Sequence, residues 1–335
     1  MSLSSRLKVI LGTGDFRRRG FLEEKECFNA LNLFLSRGGR NVDTALVYAH
    51  PEGSSDETIG KYTATSPNGS QLSVGTKINQ FGEYTFKKEC VYEQANKCLT
   101  NLQTSCVDIL YLHSPDHATP IEETLEAMQQ LYTEGKFKEL GVCNYASWEV
   151  ANICQICKSR GWVSPTVYQG MYNAITRNVE KELLPALRYF GLRFYVYNPT
   201  ACGMLTGKYR YSDFENTRGE LKEGRFFIDP QFSSLYRDRY WRESVFKGVE
   251  LVRGALDESY GVGKVSLVSA AYRWLNHHSQ LSPEHGDGII LGASCIEQVT
   301  SNLSSCEEGP LDDRVVKAFD EAWEMDQRFS VNYFR

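Results

Sequence analysis

The segment NVDTALVYAH, residues 41–50, places a carboxylate at Asp43 and a phenol at Tyr48 directly after a short apolar run. The pair has a purely structural interpretation, in which Asp43 caps the following helix and Tyr48 packs in a core. Further along the chain, the strand-like runs SVGTK and DILYLH end at Lys77 and His113. A carboxylate, a phenol, an ammonium and an imidazole together suit one task, which is proton transfer to or from a carbonyl or alcohol oxygen.

Each of the four side chains has its own expected role in that chemistry. Tyrosine has an ordinary pKa of about 10, so we expect the Lys77 ammonium to lower the pKa of Tyr48 and make the phenol usable in both directions. We expect Asp43 to hold Lys77 and keep it charged, while a neutral His113 donates an N–H to the carbonyl. None of these groups carries a hydride, so the chemistry implies a nicotinamide or flavin cofactor.

Candidate cofactor residues follow the later strand-like runs. Asn144 and Gln169 could hydrogen-bond a carboxamide, and Tyr197 could stack on a planar ring. The small residues of GASCIEQVTSN, 292–302, begin a helix-like segment whose backbone N–H groups suit a phosphate. Such small residues can equally form only a tight turn, so this pattern is a weak indication by itself.

Short β-branched runs alternate with helical patterns, which is typical of parallel strands joined by crossover helices. Eight strand candidates predict an α/β fold, a (β/α)₈ TIM barrel, in which the strand C-termini converge on one rim. The predicted strands are LKVILGT, NVD, LSVGTK, VDILYLH, KELGVCN, PTVYQ, RFYVYN and GIILGAS. The predicted helices lie near residues 23–35, 87–102, 121–134, 148–159, 178–190 and 264–276.

A doubly wound sheet is the alternative fold, and it is disfavoured because the first turn, LGTGDF, lacks the GxGxxG fingerprint. No linker composition or internal repeat divides the chain, so we expect residues 1–335 to form a single domain. The segment from about 200 to 242 is rich in Gly, Phe, Tyr and Arg. We expect it to be a long loop at the active-site face.

Composition excludes several classes of protein. The 335 residues are 41% hydrophobic with a net charge of −5 and no basic block, so there is no electrostatic footprint for nucleic acid. No apolar run approaches the roughly 20 residues of a membrane span or forms a secretory signal, which predicts a cytoplasmic protein.

The 10 cysteines are scattered and are expected to be reduced. Cys154 and Cys157 form a CxxC without a second pair, which favours a shared helix face over a metal or redox site.

A series of motifs resembles the aldo-keto reductase family, and most closely its branch of aflatoxin-aldehyde and succinic-semialdehyde reductases. The motifs are DTALVY, GTK, ILYLH, VYQGMYNAITR, NPTACGMLTGKY, YRDRYW, HHSQ and the terminal NYFR. They occur in order from about Leu11 to Arg335, most densely between Pro165 and Tyr209.

The resemblance implies NADPH-dependent reduction of aldehydes and some ketones, with Tyr48 as the acid of a tetrad. The other implied members of this tetrad are Asp43, Lys77 and His113. The implied cofactor contacts are Asp43, Cys143, Asn144, Gln169, Tyr197, Asn198, Pro199, Thr200, Gly203, Leu205, Gly207, Lys208, Arg225, Gly292, Ser294, Gln298 and Asn302. The implied substrate pocket is lined by His113, Tyr236, Arg239 and Arg335, with the tail from about 327 to 335 over it. Two arginines there suit an aldehyde with its own carboxylate, such as succinic semialdehyde. The resemblance to this branch also implies dicarbonyl aldehydes such as aflatoxin dialdehyde.

The chain departs from the family pattern at several positions. Cys143 stands where serine is usual, which puts one carboxamide contact in doubt. The usual NPLAGG reads NPTACG, and HPEGSSDE is longer and more acidic than usual. Gly292 and Gln298 stand where the family commonly offers Lys and Arg to the adenosine 2′-phosphate. Lys208 or Arg225 could compensate, so NADPH is favoured and NADH stays open.

Two other functions compete with a reductase. The family also includes channel-associated subunits that hold NADPH and regulate partners, so a non-catalytic regulatory subunit is one alternative. A metal-dependent barrel hydrolase using His277, His278 and His285 is the other, although adjacent helical histidines point about 100° apart and make a poor ligand pair. The resemblance implies a possible homodimer, and the sequence YRDRYW offers an aromatic, Arg-rich surface of the kind found in interfaces.

Overall fold

The computed structural model describes residues 6–48, 53–214, 224–227 and 233–335. Eight parallel strands pair in chain order, and the first also pairs with the last, which closes a barrel. The strands are Lys8–Gly12 (β1), Asn41–Asp43 (β2), Ser73–Ile78 (β3), Val107–Leu112 (β4), Phe137–Cys143 (β5), Pro165–Met171 (β6), Arg193–Tyr197 (β7) and Gly288–Leu291 (β8). The predicted (β/α)₈ barrel is confirmed, and each observed strand lies within or overlaps its predicted run.

Helices surround the barrel. Those in the described residues are Glu24–Ser36 (α1), Ser54–Thr65 (α2), Lys88–Asn101 (α3), Ile121–Thr133 (α4), Ser147–Arg160 (α5), Leu183–Phe190 (α6), Ser233–Tyr240 (α7), Glu243–Tyr260 (α8), Leu267–His277 (α9), Ile296–Glu307 (α10) and Asp313–Asp326 (α11). The six predicted helices correspond to α1, α3, α4, α5, α6 and α9, with α6 starting later than expected because residues 178–180 form a 3₁₀ turn. No helix was predicted at α7, α8 or α11. At α2 and α10 the sequence indicated only that a helix follows, after Asp43 and within 292–302, without bounds.

The barrel has an apolar interior that is separate from the layer between strands and helices. Side chains from β1, β4, β6, β7 and β8 fill it, including Ile10, Ile109, Val167 and Ile290, all buried. The opposite faces of the same strands pack against the helices in a larger continuous core. A strand buried on both faces reads as continuously apolar, which explains why runs such as ILYLH showed no alternation.

The long segment between β7 and α8 is not the uninterrupted loop that we expected. It begins with 3₁₀ turns at Ala201–Thr206 and Tyr211–Asp213 and contains α7. Residues 215–223 and 228–232 of the predicted loop lie outside the described residues. The prediction that residues 1–335 form one domain stays a prediction.

All 10 cysteines are free thiols, and most are buried. Cys154 and Cys157 both lie on the buried face of α5. In the described part of the chain, no helix combines the length and the hydropathy needed to cross a bilayer.

Candidate active site

The four residues of the predicted tetrad meet at the carboxyl end of the barrel. Asp43 ends β2 and Lys77 lies near the end of β3, while His113 follows β4 directly. Tyr48 follows β2 by five residues, in the loop before α2. Because strand C-termini of a parallel barrel share one rim, residues far apart in sequence converge there.

Lys77 is the centre of the constellation. Its side chain is fully buried, and its ammonium lies 2.7 Å from both carboxylate oxygens of Asp43. The ammonium also donates to the backbone carbonyl of Thr44 at 2.7 Å. Burial alone would lower the pKa of Lys77, but Asp43 more than offsets it and raises this pKa above its ordinary value. Lys77 is therefore positively charged, as expected.

The pKa of Tyr48 differs from the expectation. The phenol oxygen lies 3.5 Å from the Lys77 ammonium, which also sits 4.9 Å from the centre of the Tyr48 ring. Burial raises the pKa of Tyr48 well above its ordinary value, and Lys77 offsets only part of this effect. Lys77 acts to lower the pKa of Tyr48, as expected, but burial raises this pKa by more and the Asp43 charge adds to the rise, so the net shift is upward. Tyr48 therefore retains its proton at neutral pH.

His113 faces Tyr48 across the mouth of the barrel, which is its opening at the carboxyl ends of the strands. The centres of the two rings are 6.0 Å apart. Burial, followed by the positive charges of Lys77 and Arg335, holds the pKa of His113 well below its ordinary value. The imidazole is therefore neutral, as expected. Its Nδ1 atom is buried and has no hydrogen-bond partner among the described residues.

Asn144 directly follows β5 and Gln169 lies on the neighbouring β6, and both amides have partners within the protein. Gln169 Nε2 donates to Asp43 Oδ1 at 2.7 Å, so this side chain supports the carboxylate. Asn144 Nδ2 donates to the His113 carbonyl at 2.9 Å, and Asn144 Oδ1 accepts from the Tyr197 hydroxyl at 2.7 Å. Cys143 is buried beside them, with its sulfur 3.1 Å from Asn144 Nδ2. The four side chains form one connected layer under the mouth.

The turn after β7 has a strained backbone. Asn198, Ala201 and Cys202 adopt left-handed φ values of 58°, 51° and 58°. Pro199, Thr200, Gly203 and Leu205 belong to the same turn, which closes through Gly203 and Leu205 backbone N–H groups donating to Thr200 O. Asn198 Nδ2 is buried without a partner in the described residues. An orphaned amide donor beside a chain reversal fits a site for an oxygen-rich ligand such as a dinucleotide.

Further along this turn, the backbone at Gly207 is fixed by side-chain packing. Gly207 has φ 66° and accepts from Arg253 at 2.8 Å, and a Cβ atom there would lie 2.3 Å from that guanidinium. Lys208 is exposed, and its ammonium lies 5.0 Å from the Tyr209 ring centre.

The turn after β8 leads into α10 as predicted for a phosphate site. Gly292 is exposed, and a Cβ atom there would meet nothing within 4 Å. Asn302 Nδ2 donates to Gly292 O at 2.9 Å and fixes the turn. Gln298 Oε1 accepts from the Ser294 backbone N–H at 2.9 Å, so the glutamine caps this helix end. The open turn and the helix N-terminus fit an anionic group.

Arg225 is paired within the protein. It donates to Asp15 Oδ2 at 2.8 Å and to the Tyr236 hydroxyl at 3.3 Å. Burial would raise the pKa of Asp15, but Arg225 and Arg19 hold it below its ordinary value. The pair links the loop after β1 with the segment after β7.

Arg239 and Arg335 approach the mouth from different elements. Arg239 lies on α7 and is only 8% exposed, beside Tyr197 and Cys202. The backbone N–H of Arg335 donates to Asn144 O at 3.1 Å, and its charge acts on His113. The chain terminus is therefore anchored at the site and is not frayed.

Two of the three histidines of the competing hydrolase interpretation, His277 and His278, have structural contacts. His277 Nε2 lies 2.8 Å from Glu308 O, and His278 Nε2 accepts from the Leu311 backbone N–H at 2.9 Å. Within the described ranges, no group of three or more His, Cys, Asp or Glu side chains is arranged to hold a metal ion.

Sequence reasoning missed a buried polar network beneath the tetrad. Its central residues are Thr44, Asp56 and Thr76, all fully or nearly fully buried. Serine and acidic residues at 54–57 are typical of a helix start and were the available signal for α2, which carries Asp56. Burial of the carboxylate could not be read from this signal.

Comparisons with known proteins agree with the geometry. Residues 8–324 match the family model described as the aldo/keto reductase family. Human aflatoxin B1 aldehyde reductase member 2 is 48% identical over 331 residues, covering 98% of this chain and 90% of the relative. The protein of that name from Rattus norvegicus is 49% identical, covering 98% and 87%. Human aldo-keto reductase family 7 member A3 is 47% identical, covering 99% and 98%. With this match over nearly its whole length and a closed parallel barrel, the chain belongs to the aldo/keto reductase family and is an oxidoreductase.

Proposed function

We propose that this protein reduces aldehydes, and some ketones, to alcohols with NADPH, using Tyr48 as the proton donor. The observation that carries the proposal is the placement of a protonated phenol 3.5 Å from a buried, Asp43-bound ammonium and opposite a neutral imidazole. The relatives named as aldehyde reductases support the choice of an aldehyde as substrate.

The proposed division of work follows from the charges. Tyr48 transfers its proton to the carbonyl oxygen as negative charge develops there, and Lys77 stabilises the phenolate that remains. Neutral His113 donates an N–H to the same oxygen and orients it. Asp43 and Gln169 keep the Lys77 ammonium in position. NADPH, when bound, supplies the hydride.

The cofactor residues are proposed from their position around the mouth. The turns at 198–208 and 292–302, which follow the paired strands β7 and β8, form two sites for the phosphates, with Arg225 and Lys208 as candidate cations for the first. Asn144, Cys143 and Tyr197 lie where a nicotinamide ring would reach His113 and Tyr48. The unpartnered Asn198 amide and the open Gly292 turn support this arrangement.

We further propose that Tyr236, Arg239 and Arg335 form the substrate pocket and favour aldehydes that bear a carboxylate. Arg239 is buried and Arg335 is anchored over Asn144, so both bring positive charge towards His113. Succinic semialdehyde, which carries a carboxylate, fits this charge, and dicarbonyl aldehydes are proposed from the names of the relatives alone. Cytoplasmic location and a homodimer stay predictions.

A steady-state assay tests the proposal. NADPH oxidation is followed with 4-nitrobenzaldehyde and with succinic semialdehyde, and both are repeated with NADH. We expect turnover with NADPH, with a higher kcat/KM for the carboxylate-bearing aldehyde. NADPH binding without turnover of either aldehyde would instead support the non-catalytic regulatory subunit.

A further inference from the structure

Asp56 lies directly behind the tetrad, in the first turn of α2, and its side chain is fully buried. The carboxylate accepts a hydrogen bond from Thr44 Oγ1 at 2.6 Å and a second from Thr76 Oγ1 at 3.2 Å. The Lys77 ammonium attracts Asp56 but forms its ion pair with Asp43. Asp56 is therefore a buried acid held by hydroxyl groups, without an ion-pair partner among the described residues.

The two hydroxyl donors are the chain neighbours of the central tetrad pair. Thr44 follows Asp43, and Thr76 precedes Lys77. The Thr44 carbonyl accepts from the Lys77 ammonium at 2.7 Å, so the residue that Asp56 fixes through its hydroxyl also fixes Lys77 through its backbone. One carboxylate thus fixes both β2 and β3 where they present the tetrad.

A second set of contacts reaches Asp43 from the same helix turn. Ser55 Oγ donates to the Thr13 carbonyl at 3.1 Å, and Thr13 Oγ1 donates to the Asp43 carbonyl at 3.0 Å. Thr44 Oγ1 also lies 3.1 Å from Ser55 Oγ. The start of α2 therefore supports both members of the ion pair from below, through hydroxyl groups that are all buried.

Stability alone does not explain an acid at this position. Burial raises the pKa of Asp56 to about 6, although Thr44, Thr76, Lys77 and Cys98 all act to lower it. The folded pKa exceeds the ordinary value, so the folded state binds this proton more tightly than the unfolded chain. The carboxyl's contribution to stability is consequently lost as pH rises through this range, and the ionised form destabilises the fold at neutral pH. Groups retained at a cost to stability are frequently functional.

We propose that Asp56 is a positioning residue for the reaction, acting through Thr44 and Thr76 to hold the Lys77–Asp43 pair against Tyr48. This inference rests on the proposed reductase function. The titratable groups that face Asp56 are Lys77 on β3 and Cys98 on α3. At a pH below the pKa of Asp56 the carboxyl group is protonated and accepts fewer hydrogen bonds. It then holds Thr44 and Thr76 less firmly.

The test compares Asp56→Asn with Asp287→Asn. Asparagine keeps the shape of Asp56 and removes its charge. Asp287 is an equally buried carboxylate just before β8, at the opposite end of the barrel, and is paired with Arg188. For each variant, kcat and KM for 4-nitrobenzaldehyde, the NADPH dissociation constant, the melting temperature and the pH profile of kcat are measured.

For Asp56→Asn we expect a kcat lower by about tenfold, because the Lys77–Asp43 pair is held less firmly beside Tyr48. The variant changes no proposed cofactor-binding residue. The NADPH dissociation constant should change less than about twofold, and the melting temperature should be unchanged or higher. The kcat of the wild-type protein should fall as the pH drops through the pKa of Asp56, about 6. The kcat of the variant should not change over this pH range. Asp287→Asn should show the opposite pattern, with a lower melting temperature and unchanged kcat.

Thr44→Val and Thr44→Ser decide the question if Asp56→Asn does not fold. Valine removes the hydroxyl donor and serine keeps it, so only Thr44→Val should lower kcat. The inference is overturned if Asp56→Asn, or Thr44→Val in its place, retains wild-type kcat and pH profile. Absence of turnover in the wild-type protein would overturn the proposed function itself. The wild-type assay is done first, so this failure is distinguished from a failure of the Asp56 inference.

Discussion

At the scale of single residues, burial and the position of Lys77 together determine the pKa of Tyr48. The ammonium is 2.7 Å from Asp43 and 3.5 Å from the phenol, so most of its charge is balanced by the carboxylate. Burial raises the pKa of Tyr48 by more than Lys77 lowers it, so the phenol keeps its proton, which suits a group that must deliver a proton to a developing alkoxide. The same arrangement disfavours the reverse reaction at neutral pH, because alcohol oxidation needs a proton acceptor.

The pH profile of aldehyde reduction checks this arrangement. The pKa of Tyr48 is raised, so its proton is lost only above its ordinary range. The pKa of His113 is lowered, so the imidazole stays neutral at every pH above its ordinary value. We expect kcat/KM for 4-nitrobenzaldehyde with NADPH to be constant from about pH 7 to about pH 9. A decline with an apparent pKa inside that range would mean that Lys77 lowers the tyrosine pKa after all.

Residue types and strand ends were sufficient to identify the tetrad, but not its electrostatics. Asp43, Lys77 and His113 are polar groups at the ends of apolar runs, and a barrel necessarily brings such ends together. The direction of the Tyr48 pKa shift depends on how deeply the phenol is buried and on how closely Lys77 approaches it. Neither quantity is expressed in the order of residues.

At the scale of elements, the strands were easier to predict than the helices. Strands such as β4 and β7 are short, β-branched and buried on both faces, so their sequences are unambiguous. In contrast, α2 and α10 have few apolar residues, because each buries much of its inner face with small or polar side chains such as Ser55, Thr58 and Ser305. Their helical period is therefore hidden.

The C-terminal tail is an element whose effect on specificity can be measured. It is anchored where Tyr333 Oη accepts from the Ser147 backbone N–H at 3.0 Å, and it ends with Arg335 beside Asn144. Arg335→Ala should raise KM for succinic semialdehyde by about tenfold or more, since a charge-assisted contact contributes about 1.5–3 kcal/mol. KM for 4-nitrobenzaldehyde should change little.

Arg328→Ala is the matched control for the tail. Arg328 lies in the same tail, but its guanidinium packs over the Phe329 ring at 4.7 Å and not at the site. This variant should leave KM for both aldehydes unchanged. If Arg335→Ala raised KM equally for succinic semialdehyde and for 4-nitrobenzaldehyde, Arg335 would not bind the substrate carboxylate.

At the scale of the whole molecule, the barrel depends on closure between β1 and β8. Gly288 pairs with Lys8 across this junction, and a Cβ atom at Gly288 would lie 2.9 Å from Lys8 O and 2.7 Å from the Ile10 side chain. Gly288→Ala should therefore reduce the free energy of unfolding by about 1–3 kcal/mol through overpacking. Equilibrium unfolding in urea gives this change as a lower midpoint.

Gly254→Ala provides the control for closure. Gly254 lies in α8, and a Cβ atom there would meet nothing within 4 Å. Because alanine is the better helix former, this variant should stabilise the protein by about 0.5–1 kcal/mol. Equal urea midpoints for Gly288→Ala and Gly254→Ala would mean that the junction between β1 and β8 accommodates a side chain at residue 288.

The barrel as a whole was predictable because eight alternating units leave few topologies, and the segment after β7 was not. Its helix α7 contains Arg237, Arg239 and Tyr240 with little apolar periodicity, so its sequence suggested a loop. Its position depends instead on contacts with distant residues, such as the hydrogen bond from Asn173 Nδ2 to the Tyr240 hydroxyl at 3.2 Å.

The most direct test of the central claim compares Tyr48→Phe with the wild-type protein, measuring NADPH affinity and aldehyde turnover on the same preparations. Phenylalanine keeps the ring and removes only the proton donor. We predict that the NADPH dissociation constant stays within about twofold while kcat falls by at least about a hundredfold. Retention of substantial turnover, or a loss of NADPH affinity as large as the loss of kcat, would contradict the assignment of Tyr48 as the proton donor.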